Sequence, residues 1–241
     1  MKNEEMMKSG SVWKAIASMA IPSAVIMILM IFYNIADMFF IARLGDNAQV
    51  AAVSVVSPVF SMVSAVAMML GNGGCTMIAK AFGAGEKEKA KTYSSLCLWT
   101  AIVLAIVFIT LVLIFVNPLL VFLGAKGDVF TYAKRYMVPI VLGSPFMMIS
   151  TSVALLLRAE GSVMEGFVGN LIGTIVNLIL DPVFILGLHM GVQGAAIASV
   201  FGNVLAVFYY IYVIRKKSQT MSFSLVYASK DVPAIGHILL L

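Results

Sequence analysis

Asp181 carries the clearest chemistry in this chain, because the acid stands inside NLIGTIVNLILDPVFILGL, Asn170 to Leu188, an otherwise apolar stretch long enough to cross a bilayer. A carboxylate at such depth costs about 2.5–3.5 kcal/mol on insertion scales, so its presence points to a function. Asn177 lies four residues earlier and Thr174 three before that, which puts all three on one helix face. Pro182 has no amide hydrogen and presses on the preceding turn, leaving backbone oxygen free beside the carboxylate. A second acid, Asp37 in FYNIADMFFIARLGD, has Tyr33 and Asn34 one turn earlier on its own face. Counted back from Arg43 and from His189, Asp37 lies about 9 Å and Asp181 about 12 Å below the same boundary. Two buried acids at matched depth disfavour each other's charged form, which suits proton exchange. With amide and carbonyl oxygens beside them, Asp37, Asn177 and Asp181 equally suit a hard cation such as sodium. Spacing leaves both chemistries open.

The elements that position these acids follow from composition. Of 241 residues, 61% are hydrophobic and 11% charged, too little polar surface to cover a soluble domain. The fold expected is all-α, a polytopic membrane protein. Apolar runs at 15–42, 49–70, 93–116, 136–157, 166–188 and 192–214 predict six spans. The first is too long for the apolar core of a signal peptide. Residues 1–14 form a polar lead, 15–217 the helical bundle, and 218–241 a linker with the start of a further helix. With the N-terminus cytoplasmic, twelve Lys and Arg fall inside and only Arg43, Lys126, Lys134 and Arg135 outside, which sets the orientation in the cytoplasmic membrane. The net charge of +5 is then a bias of the inner loops, and nucleic acid is not expected as a partner. Cys75 and Cys97 have no metal-ligand spacing and read as buried small residues.

Along the spans, Ser54, Ser57, Pro58, Ser61 and Ser64 stand at spacings of three and four that suit close helix contact. The glycines of GNGGCTMIAKAFGAGEKEKA are expected to break the second span, and no strand or Lys-Ser/Thr pair makes them a nucleotide site. The fourth span opens at Tyr136, with Pro139 and Pro145 bending it toward a cavity. Arg158 and Glu160 read as a capped or paired inner turn. In the last span, Gln193, Ser199 and Asn203 are polar within the bilayer, and Gly194, Ala195, Ala198 and Gly202 admit a close neighbour, the fifth span. His189 reads as an interfacial loop residue. Seventeen methionines serve packing first, and a Met- and Phe-lined cavity would accept varied apolar cations.

Taken in order, FYNIADMFFIARLGD, AFGAGEKEKA, LLRAEG, NLILDPVFI and GVQGAAIAS resemble the N-terminal half of the multidrug and toxic compound extrusion (MATE) transporters, of the DinF-like or multidrug-exporter type. The resemblance covers nearly the whole chain. It implies one six-helix lobe of a twelve-helix, ion-coupled antiporter that exports organic cations and amphipathic drugs, with no cofactor beyond the coupling ion, H+ or Na+. It further implies that Asp37, Asn177 and Asp181 bind that ion, with Tyr136 and Ser199 as neighbours. Threonine is frequent at the last position, and serine keeps the hydroxyl. Tyr33, Asn34, Thr174 and Asn203 are then cavity-lining candidates. The missing partner is the C-terminal six-helix lobe, expected to begin near VPAIGHILLL.

The alternative within transport is a flippase for lipids or lipid-linked oligosaccharides, which would favour a cavity rich in Arg and Lys; the predicted spans hold none. An intramembrane aspartyl protease also needs two helix-borne acids, but IADM and ILDPV lack the glycine-rich setting such enzymes have. No enzymatic activity is expected.

Overall fold

The computed structural model describes residues 45–216 without interruption, together with residues 21, 24, 25, 28, 31, 35, 38–41, 43, 218, 221–224, 227, 235, 236 and 238. Its elements are α1 (Asn47–Gly83), α2 (Lys87–Ile114), the short α3 (Val116–Phe122), α4 (Gly127–Ala159), α5 (Val163–Pro182) with a π-helical continuation Val183–Gly187, and α6 (Val192–Lys216). No strand occurs among the described residues. In a bilayer every backbone polar group must be satisfied within its own segment, which leaves the helix as the available form for these runs. Among the described residues, five helices are long and apolar enough to cross a membrane. The described positions among residues 21–41 are helical and mostly exposed and apolar, and most of the expected first span lies outside the described residues.

α4 is the central helix, packed on α1, α2, α5 and α6. It begins at Gly127, nine residues before the apolar run at Tyr136, so Lys134 and Arg135 stand on the helix. The helix also continues through both Pro139 and Pro145. The glycines after Leu70 do not break α1, which runs on to Gly83. They are contact points instead: a β-carbon at Gly71 would stand 2.5 Å from Leu155 Cδ1, and one at Gly74 would meet Cys97 Sγ and Leu156 Cδ2. Small residues let membrane helices approach closely, and here that outweighs glycine's weak helix propensity.

The serines of α1 require a second correction. Ser54, Ser57, Pro58 and Ser61 are exposed, and the packed face is Ala52, Val56, Val59, Val63, Ala67 and Leu70. The hydroxyls of Ser57 and Ser61 donate to the carbonyls of Ser54 and Ser57, both at 3.0 Å. Such back-bonding satisfies a serine without any neighbour, so the apolar chains take the seam. Cys97 is buried as expected, while Cys75 is only half-buried.

At the end of the bundle that holds residues 188–191, Asp46 caps α1 by accepting the Ala48 amide at 2.9 Å. Gln49 donates to the other Asp46 oxygen at 3.3 Å and accepts the Val192 amide at 3.0 Å, tying the start of α6 to the start of α1. At the opposite end a strap follows α6. Ser95 Oγ donates to Ser222 O at 2.6 Å, the Ser222 amide donates to Ser94 Oγ at 3.1 Å, and Trp99 Nε1 donates to Phe223 O at 3.2 Å. Ser218 Oγ donates to Glu160 at 2.5 Å, which ties the strap to the turn that follows α4.

Candidate functional site

The site grows from the seam between α5 and α6. Gly173 and Gly202 face each other there, and a β-carbon on Gly202 would lie 2.5 Å from Gly173 O and 3.4 Å from Asn177 Cβ. At the 188–191 end of the same seam a β-carbon on Gly194 would sit 2.8 Å from the backbone of Phe184. Two helices this close leave no room for lipid between them, and the polar residues beside the glycines are enclosed.

Asn177 is 3% exposed and Asp181 is 0% exposed, whereas Ile175, Leu178 and Ile179 on the far side of α5 are exposed. The helix thus presents an apolar face outward and an amide and an acid inward. Asn177 Nδ2 donates to Ser199 Oγ at 3.0 Å, joining α5 to α6 between side chains 22 residues apart. Ser199 is 9% exposed, and its own carbonyl accepts from Asn203 Nδ2 at 2.9 Å. Asn177 Oδ1 is buried and accepts no hydrogen bond among the described residues. The side chain therefore offers a bare oxygen one turn from the Asp181 carboxylate.

Asp181 is the next-to-last residue of α5. Because Pro182 cannot donate to the carbonyl one turn back, the Val183 amide turns to Leu180 O. The chain then widens into a π turn closed by the Leu188 amide on Val183 O at 2.8 Å. Such turns inside membrane helices collect at functional positions, since they re-aim side chains and leave carbonyls underused. The donors gathered here are all oxygens, from an amide, an acid and a hydroxyl. That set fits a proton or a hard cation and not a soft or redox-active metal. No cluster of three or more His, Cys, Asp or Glu residues occurs among the described residues.

The remaining candidates divide as follows. Tyr136 is buried in α4, at 8% exposed. Thr174 is half-buried one turn before Asn177, and Asn203 is half-buried one turn beyond Ser199. Asp37, Tyr33 and Asn34 lie outside the described residues, as therefore does the pairing of the two acids. His189 is an exposed turn residue with φ of 55°. Sequence reasoning missed Gln49, whose bridging role depends on two partners distant in the chain. It also missed Ser144, a fully buried hydroxyl on α4 with no hydrogen bond among the described residues, and Ser152, whose hydroxyl donates to Ala67 O at 3.0 Å. A lone serine in an apolar run gives no sign of which helix it will face.

The family model MatE matches residues 22–183. The chain is similar to the multidrug export protein MepA of Staphylococcus haemolyticus, at 29% identity over 230 residues that cover 95% of this chain and 51% of the relative. It is similar to MepA of Staphylococcus aureus at 28% identity over 240 residues, covering 99% and 53%. Among solved structures, a MATE transporter in complex with MaL6 superposes with a TM-score of 0.88 at 28% identity, covering 94% of this chain and 50% of that one. A transporter of the MOP superfamily from Pyrococcus furiosus, whose binding pocket is described as reversed in polarity, gives 0.85 at 28% identity, covering 94% and 50%. The chain spans about half the length of the relatives it matches.

Proposed function

The chain belongs to the MatE family, and on that premise we propose that it forms the first lobe of an ion-coupled antiporter that exports organic cations and amphipathic drugs. The observation that carries the reading is the enclosed set of Asn177, Ser199 and Asp181 on helices long enough to span a membrane. An acid held away from water changes charge only when a proton or cation arrives, and a helix seam that closes around it responds to that change. Ion binding at Asp181, with Asp37 and Tyr136 as the further candidate ligands, shifts the equilibrium between two packings of the bundle. Drug binds one of these packings better, so the ion gradient drives its release.

The export of drugs named for the staphylococcal relatives supports the substrate class. A second six-helix lobe supplies the other wall of the drug path, with residues 15–217 as the first lobe and 218–241 as the connection. The distribution of Lys and Arg favours a cytoplasmic N-terminus in the cytoplasmic membrane. In the full-length transporter, Asp181→Asn and Asp37→Asn each abolish drug resistance while leaving membrane abundance unchanged; resistance retained by both variants removes the proposal. Proteoliposomes given a pH gradient or a sodium gradient separately identify the coupling ion.

A further inference from the structure

Four basic residues lie on the side that the charge bias assigns to the outside, and two of them, Lys134 and Arg135, are adjacent. They do not belong to the topogenic excess of the other face. Both stand on α4 just before the apolar run that begins at Tyr136, the level at which headgroups give way to hydrocarbon. Together with Gln193, in the first turn of α6, they line a pocket of about 390 Å³ whose apolar side is Phe130, Val138 and Pro139. Thr131 adds a hydroxyl.

Among the described residues, the charge in this pocket is uncompensated. Arg135 is exposed and forms no ion pair among the described residues. Lys134 Nζ is held at 3.0 Å by Asn117 Oδ1 from the α3 segment, a neutral acceptor that orients the ammonium without cancelling it. Among the described residues, no acid lines the pocket. Two cations beside an amide and a hydroxyl match a phosphate diester, with the guanidinium able to grip two of its oxygens. The apolar wall at the same depth matches glycerol and the first acyl carbons, which a free anion would leave exposed to water.

We propose that this pocket binds an anionic phospholipid, with the phosphate between Lys134 and Arg135 and the headgroup hydroxyls on Gln193 and Thr131. The inference rests on insertion of the bundle in a bilayer and not on the coupling reading, so a transporter that fails to couple still tests it. The test is native mass spectrometry of the full-length transporter titrated with phosphatidylglycerol or phosphatidylcholine. Phosphatidylglycerol is retained, phosphatidylcholine is not, and Arg135→Gln and Lys134→Gln each lower retention roughly five- to tenfold. Lys126→Gln, an exposed position outside the pocket, leaves retention unchanged. If Lys134→Gln fails to fold for want of its Asn117 bond, the exposed Arg135→Gln still decides. Undiminished phosphatidylglycerol retention in Arg135→Gln, equal retention of phosphatidylcholine, or displacement of the lipid by glycerol phosphate at matched concentration overturns the proposal.

Discussion

The side-chain amide of Asn177 donates a 3.0 Å hydrogen bond to the hydroxyl of Ser199 across the seam between α5 and α6, one helical turn from the fully buried Asp181. The bond fixes which way the amide points: its nitrogen is occupied, and its oxygen is presented beside the acid. A serine on one helix thereby sets the donor chemistry of a site built largely on another.

Ser199→Ala removes the acceptor and strands a buried N–H, at a cost of about 1–3 kcal/mol. A lower thermal unfolding midpoint in detergent is expected for Ser199→Ala, and Ser199→Thr should restore it. Equal midpoints for the alanine and threonine variants would show that the bond carries no weight.

Glycine contacts along the seam set the distance between the two helices. Gly202→Ala forces a methyl against Gly173 O, so α6 must move, with about 1–3 kcal/mol lost and Asn177 drawn away from Ser199. Gly83→Ala, where a β-carbon meets nothing within 4 Å, should be neutral or slightly stabilising. Unfolding curves of the two variants in the full-length protein make the comparison.

Acid dependence at the 188–191 end should come through Asp46. The Ala48 amide, chiefly, holds its carboxyl below the ordinary value of 3.8, with Gln49 and Tyr132 acting in the same direction. A depressed folded pKa means that the stabilisation is complete above the unfolded value and is lost as pH falls through the folded one. Asp46→Asn keeps a capping side chain but removes the titration, so the fall in unfolding midpoint from about pH 6 to about pH 3 should be shallower than in the unmodified protein.

The strap after α6 should loosen without disturbing the bundle. Ser94→Ala deprives the Ser222 amide of its acceptor, and Trp99→Phe frees Phe223 O. Hydrogen exchange measured by mass spectrometry is expected to rise over residues 221–224 and stay unchanged in α4. Unaltered exchange in the strap would mean that these bonds do not hold it.

Much of this molecule was legible before any coordinates. The acid at 181, with an amide four residues earlier, reads as one helix face because the helical repeat is fixed. In the structure Asn177 and Asp181 are both buried while Leu178 and Ile179 are exposed. The small residues of α6 likewise announced a close neighbour. The serines of α1 misled because a hydroxyl in a membrane helix has two ways to be satisfied, by its own backbone or by another helix. Spacing describes both equally well. The glycines after Leu70 misled for a related reason: a missing side chain weakens a helix in isolation but strengthens it where Leu155 and Cys97 need the space.

What the sequence determined by itself was local: membrane helices, their polar faces and the costly placement of an acid within one of them. Apolar length and the 3.6-residue repeat act within a single segment and need no partner. The tertiary structure alone decided that Asn177 meets Ser199, that Gly202 closes on Gly173, and that Lys134 and Arg135 share a pocket with Gln193. Each of these joins residues on different helices, and which helices touch depends on how whole faces pack together, a choice that no single segment contains.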